Sequence, residues 1–292
     1  MKEDEMKKMV VYGMVTLSIL AFFSFTGDVF AEDTGINNWV LMFQVLEYNK
    51  RIGDAADYFL KEVLKPEDNL LLFTPQRHYN FSQKTRQTNP LEKLIQITKD
   101  VLKRDIFMAA SAYNDIIRQM EVLVRTFTDP DSTQQKHLTS QYRQLKENLF
   151  AIRKLNEKLF LDLAAMFKQA KGKNHIIIFY EKRMRVIPNR QTMDRLRADP
   201  EVRYDINEVL EAESAKEVMN VNAVIQALKD AGAKLHFVYL NTKVRRSRDM
   251  ELREFSGDIY NAFSKIAKET GGTVRIASRA EAGLKEILGG KK

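Results

Sequence analysis

Basic side chains gather directly after the apolar runs of this chain. Asn49, Lys50 and Arg51 follow the first run, and Arg77 and His78 follow the second. Lys182, Arg183 and Arg185 follow a later one, and Lys243, Arg245, Arg246 and Arg248 the next. A guanidinium presents a planar fork of donors that matches a carboxylate or phosphate with paired hydrogen bonds, so loops of this composition can hold an anion without a metal. Asn49, Lys50, Arg77, Arg183, Arg185, Arg245, Arg246 and Arg248 are therefore the candidate contacts to an acidic partner. The competing reading is that they are solvated loop charges. Two carboxylates, Glu47 and Glu181, also close apolar runs and could form an acid–base pair across adjacent loops. With arginines close by, ion pairing is the simpler expectation for both.

Other chemistry is excluded by residue type. The chain has no Gly-x-Ser-x-Gly, no His-Glu-x-x-His, no Gly-x-Gly-x-x-Gly after a strand and no phosphate loop. His78, His137, His175 and His236 are scattered, and the last two fall at or inside apolar runs, where structural histidines sit. There is no cysteine, which rules out thiolate catalysis, thiolate-bound metals and disulfides. No catalytic residue is nominated and no cofactor is expected.

The elements that must position the basic loops are legible. Trp39–Leu46, Leu70–Phe73, Ile176–Tyr180 and Leu235–Leu240 read as strands buried on both faces. Arg77–Phe81 reads as a weaker edge strand and Thr273–Ile276 as a last strand. Helical segments such as Ile52–Leu64 lie between them, which makes the fold class α/β with a doubly wound, mostly parallel sheet. Residues 90–171 break the alternation. Leu91, Leu94, Val101, Met108, Ala112, Ile116, Leu123 and Phe127 form one stripe. Leu138, Tyr142, Leu145, Leu149, Ile152, Leu155, Leu159, Leu163 and Met166 form a second, read as one long helix. Thr128–Ser132 supplies the turn between them. The result is an elongated helical hairpin inserted before the fourth strand, each helix roughly 50 Å long. It serves either as packing or as an oligomerising arm.

Several segments together resemble a von Willebrand factor A domain of the bacterial exported type, covering residues 36–288. They are the strand–helix–strand of Trp39–Phe73, the helix, Gly-Lys turn and strand of Leu155–Tyr180, and the helix, Ala-Gly-Ala turn and strand of Val224–Leu240. Ile259–Leu288 completes the series with its Thr-Gly-Gly ending. In that family the loop after the first strand carries Asp-x-Ser-x-Ser and binds a divalent metal. Here the aspartate position falls on Gln44 and the serine positions on Leu46 and Tyr48. The family's threonine matches Thr88, and its final aspartate falls at Glu181. Three oxygens at most remain for an ion that favours six, so the metal-ion-dependent adhesion site is degenerate and no metal is expected. The resemblance implies a Rossmann-like von Willebrand A fold and a protein-binding role.

Residues 1–31 read as a signal peptide, with the uncharged run Met9–Phe25 following Lys7 and Lys8 and a cut after Ala31. Left uncleaved, Met9–Phe25 would anchor the chain to a membrane. Residues 289–292 read as a basic tail. The formal charge of +8 across 292 residues favours acidic partners. For an exported chain these are proteins or envelope components rather than nucleic acid. The expectation is a periplasmic or extracellular protein-interaction module of the adhesion type, not an enzyme. The alternatives are an envelope hydrolase or transferase on a similar sheet, and a membrane-anchored subunit that assembles through its hairpin.

Overall fold

Six of the eight residues of β1 (Asn37–Gln44) are fully buried, because the strand lies between two parallel neighbours. It pairs with β2 (Asn69–Phe73) on one side and with β4 (Lys173–Glu181) on the other. In this computed structural model, residues 35–126, 132–153, 155–198, 219–241 and 250–289 are described. The expected signal peptide, the membrane-anchor run Met9–Phe25 and Lys291–Lys292 of the tail lie outside them. No helix among the described residues is long and apolar enough to cross a membrane.

The main sheet has the order β3-β2-β1-β4-β6-β8, with β3 (His78–Phe81) antiparallel and β6 (Ala233–Leu240) and β8 (Val274–Ala277) parallel. The expected strands are all present, and the fold is α/β with a doubly wound, mostly parallel sheet. The strand order reverses between β1 and β4, and the crevice beyond the carboxyl ends of those strands is where open α/β sheets place ligands.

Alternation along the strands divides the core into two layers. Trp39, Leu41, Phe43, Ile177 and Phe179 face α1 (Lys50–Tyr58, extended by a π turn over Phe59–Val63), the first half of α3 (Leu91–Thr126) and α9 (Ala280–Leu288). Val40, Met42, Ile176 and Ile178 face α5 (Glu157–Gln169), α7 (Val221–Asp230) and α8 (Gly257–Glu269). Between β3 and α3 lies the short helix α2 (Gln83–Gln87).

The helical hairpin is present, with two corrections. The second stripe is not one helix: α4 (Ser132–Arg153) ends, and Asn156 accepts a hydrogen bond from the Lys158 amide at 3.0 Å to start α5. An asparagine cap satisfies an orphan amide of the new helix, so the chain turns from packing on α3 to packing on the sheet. The first stripe also departs from the spacing read in sequence. Leu91, Met108 and Ala112 are exposed, whereas Leu94, Leu102, Ile106, Tyr113, Met120 and Val124 are buried. A seven-residue spacing drifts about 20° per repeat around a straight helix, so Leu94 and Val101 face inward and Met108 does not. Ile152 is likewise exposed on α4. Phe127 and residues 128–131 of the turn lie outside the described residues.

One element was not anticipated. Met184–Pro188 (β5) and Met250–Glu254 (β7) form a separate antiparallel ribbon, followed in the chain by α6 (Arg190–Ala198) after β5. The ribbon lies against the outer half of the hairpin, where Val186 and Met250 join Ile116, Met120, Tyr142 and Leu149 in a third cluster.

Candidate functional site

The residues that follow β1 and β4 meet at the point where the strand order reverses. Glu181, the last residue of β4, is buried, and its Oε2 accepts hydrogen bonds from the amides of Leu46 at 2.6 Å and Glu47 at 3.2 Å. Arg183 is also buried, and its Nη2 donates to the Gln44 carbonyl at 3.1 Å. An acid and a base from one side of the crevice thus grip the loop after β1 at three backbone groups. The Arg183 guanidinium lies 5.1 Å from the Tyr180 ring centroid and 5.9 Å from that of Tyr113. Its Nε and Nη1 are buried without hydrogen-bond partners among the described residues. The aromatic faces supply part of the electrostatic compensation those donors lack.

A polar lattice holds the crevice from behind. The Arg183 amide donates to Ser256 Oγ at 3.0 Å, and Ser256 Oγ lies 2.7 Å from the Tyr239 hydroxyl. Tyr239 donates to Glu254 Oε1 at 2.5 Å, and Glu254 pairs with Lys182 at 3.0 Å. Burial first, then the adjacent Glu254 carboxylate, pushes the Tyr239 phenol well above its ordinary range. The Tyr113 hydroxyl donates to the Met184 carbonyl at 2.7 Å and accepts from the Met184 amide at 3.0 Å. Burial pushes that phenol up to about 12. Neither tyrosine is tuned to exchange a proton near neutrality.

Beside β2 lies a second buried acid. Asp105, on α3, accepts from Thr74 Oγ1 at 2.8 Å, the Tyr79 hydroxyl at 2.7 Å and Arg104 Nε at 3.0 Å. Burial acts to raise its pKa, and the hydrogen bonds from Tyr79, Thr74 and Arg104 outweigh it, so the carboxyl stays below its ordinary value. The signal for this residue was a charge inside the buried stripe, between Leu102 and Ile106.

A cavity of about 550 Å³ opens between the loop after β1 and α3, lined by Leu46, Glu47, Tyr48, Lys103, Phe107 and Met108 among others. Phe107 is 76% exposed and Met108 54% exposed at its rim. Sequence periodicity placed Met108 in the core and passed over Phe107, because it does not reveal where a long helix runs past the sheet.

The residues read from sequence as basic loop contacts divide sharply. Arg183 and Arg185 are 3% and 1% exposed, so neither is a solvated loop charge. Arg185 sits in the ribbon, 5.3 Å from the Phe255 ring centroid. Asn49 is the cap of α1, its Oδ1 accepting from the Ile52 amide at 3.2 Å. Lys50 and Arg77 are exposed. Arg245, Arg246 and Arg248 lie outside the described residues. Glu47 and Glu181 do not form an acid–base pair, since Glu181 is engaged by the Leu46 and Glu47 amides while the Glu47 side chain is exposed.

The five positions matching the family's metal site do not fit a divalent ion. Leu46 and Tyr48 stand where small hydroxyls are needed and line the cavity, and Glu181 Oε2 is turned to the Leu46 and Glu47 amides. Thr88 lies at the other end of the sheet, because β3 runs back to pair Phe81 with Leu70 before α2 begins. Its hydroxyl donates to the carbonyls of Lys84 and Thr85. Among the described residues no group of three or more His, Cys, Asp or Glu could hold a metal.

Fold and crevice together define a doubly wound α/β domain with an inserted helical hairpin. No protein-family model and no curated protein sequence matches the chain. Among solved structures, it is similar to an aerotolerance-related membrane protein from Bacteroides fragilis, at 9% identity and a TM-score of 0.35, covering 87% of this chain and 98% of that one. It is also similar to the TFIIH p34 N-terminal domain, at 11% identity and a TM-score of 0.35, covering 89% and 99%. Likenesses this distant carry no functional weight.

Proposed function

We propose that this protein is a non-catalytic interaction module of the cell envelope, a von Willebrand A-like domain that binds a protein partner without a metal. The reading rests above all on the edge beyond β1 and β4. Glu181 and Arg183 hold the loop there through its own backbone, and beside it opens the cavity rimmed by Phe107 and Met108. The doubly wound strand order and the Thr-Gly-Gly turn support the family assignment. The partner anchors an apolar side chain between Leu46 and Phe107. The cavity's charged lining is balanced, Lys103 and Arg104 standing with Glu47 and Asp100, and Arg104 is already paired with Asp105, so the apolar anchor carries the contact. Lys50 and Arg77 remain available as peripheral contacts. Export is carried by the leader pattern of residues 1–31.

The test is partner capture from envelope extract by the full chain and by its Phe107→Ser/Met108→Ser variant, with and without chelator. Capture that survives chelator and is lost in the variant is the expected result. Capture abolished by chelator, or unchanged in the variant, overturns the reading.

A further inference from the structure

Strand β8 closes the sheet: it pairs with β6 on one side and, among the described residues, with no strand on the other. Its ladder to β6 includes the Thr273 carbonyl accepting from the Phe237 amide at 2.8 Å and the Ala277 carbonyl accepting from the Asn241 amide at 3.0 Å. Backbone groups alternate sides along a strand, so the N–H groups of Val274 and Ile276 point out of the sheet edge. The outward carbonyl of Val274 is met by Nη1 of Arg275 at 3.0 Å, and that guanidinium also reaches Glu286 at 3.2 Å. The edge is short and partly guarded, but among the described residues nothing accepts from its outward donors.

The side chains beside this edge are matched to an extended ligand. Val274 and Ile276 lie in register with Phe237 and Tyr239, on the face covered by α8, and Ile276 is 59% exposed. Between α8 and β8 runs a trough of about 670 Å³ with Tyr260, Val274 and Ile276 as its apolar surface. Lys265 and Lys268 stand on its helix side, Lys265 Nζ donating to Asn222 Oδ1 at 3.0 Å on the exposed surface. The acid beside them, Glu269, is already paired with Lys229 at 2.8 Å. Ser264 Oγ is buried at the trough without a hydrogen-bond partner among the described residues.

We propose that β8 is a docking edge for an extended, acidic segment of a partner protein, which adds a strand to the sheet. Main-chain hydrogen bonds to Val274 and Ile276 supply affinity. Side chains on its α8 face supply specificity, apolar ones over Ile276 and carboxylates further along toward Lys265 and Lys268. A second copy of β8 is the poorer occupant, since it brings Arg275 and the lysines against their own kind. This edge is separated from β1 by β4 and β6, so it is distinct from the cavity at α3 and does not depend on it.

The test uses the full chain and two synthetic decapeptides with serine at every second position, the intervening positions being valine and glutamate in one and valine and lysine in the other, so that one face carries both groups. The acidic peptide is expected to bind on the order of tenfold more tightly and to slow hydrogen exchange in the segment carrying Val274 and Ile276. Ile276→Pro removes an outward N–H, which edge strands tolerate, and should abolish binding with the far-ultraviolet circular dichroism unchanged. Lys265→Glu with Lys268→Glu, on an exposed helix surface, should reverse the preference between the peptides. Phe107→Ser should leave peptide binding intact, which separates this edge from the cavity. Absence of binding, equal binding of both peptides, or binding that survives both the proline and the charge-reversal variants overturns the proposal. So does loss of binding in Phe107→Ser, or protection of β8 that rises with protein concentration in the absence of peptide.

Discussion

Glu181 and Arg183 hold the loop after the first strand in place through its own backbone. A carboxylate accepting two amides is a charge-assisted contact, worth about 1.5–3 kcal/mol, and its removal leaves the buried donors unpaired. Glu181→Ala should therefore lower stability by about 2 kcal/mol in denaturant unfolding and speed amide exchange at Leu46 and Glu47. Glu181→Gln keeps an acceptor oxygen and should lose less. At the opposite end of the sheet, His175 stacks on Trp39 at 4.4 Å between ring centroids and on His236 at 5.9 Å. Burial, together with nearby positive charge, lowers both histidines to about 4. The unfolded chain then binds more protons than the folded one between the ordinary value of 6.5 and about 4. Stability is complete above the upper limit and falls as the pH drops toward the lower one. Melting temperatures measured across that window should decline, and the slope should flatten in His175→Phe/His236→Leu. A flat profile in the wild type would contradict this assignment.

At the scale of elements, the hairpin and the ribbon are fastened by two tyrosines. Tyr113 of α3 makes both hydrogen bonds with the Met184 backbone, and Tyr142 of α4 donates to the Val186 carbonyl. The apolar stripe of the hairpin is thus met by its own ribbon, which favours a packing role over an oligomerising arm. Tyr113→Phe keeps the ring under Arg183 but strips both partners from Met184. It should cost about 1–3 kcal/mol and loosen β5 without disturbing the main sheet. Thermal denaturation, with hydrogen exchange compared between β5 and β4, measures both parts. If β4 loosens as much as β5, the ribbon is not an independently fastened unit.

For the whole molecule, the contrast is between a closed core and open rims. Both faces of the sheet are covered, and the most exposed large apolar groups among the described residues are Phe107, Met108 and Val122 on α3 and Ile276 on β8. Substitution at such positions leaves stability within about 0.5 kcal/mol. Phe107→Ser/Met108→Ser should therefore keep the wild-type melting temperature while losing the captured partner. That combination separates an interaction surface from a packing one.

The strands and the turns that join them were legible in the sequence because their causes are local. Continuous apolar runs mark strands covered on both faces, and the Thr-Gly-Gly turn declares its geometry: Gly271 has φ of +72°, and a Cβ on Gly272 would lie 1.8 Å from the Leu235 carbonyl oxygen. That Gln44, Leu46 and Tyr48 offer few hard oxygens was equally local. What surrounds them was decided only by tertiary structure. Arg183 and Arg185 look like loop charges in a sequence because their burial depends on a ribbon whose strands are far apart in the chain, with Arg185 pairing Arg253. The exposure of Phe107 and Met108, and the burial of Asp105 between them and the sheet, follow from where a 36-residue helix crosses the edge of that sheet. Residue type and spacing determine which side chains are able to bury or to bind; only the arrangement of distant elements determines which of them meet.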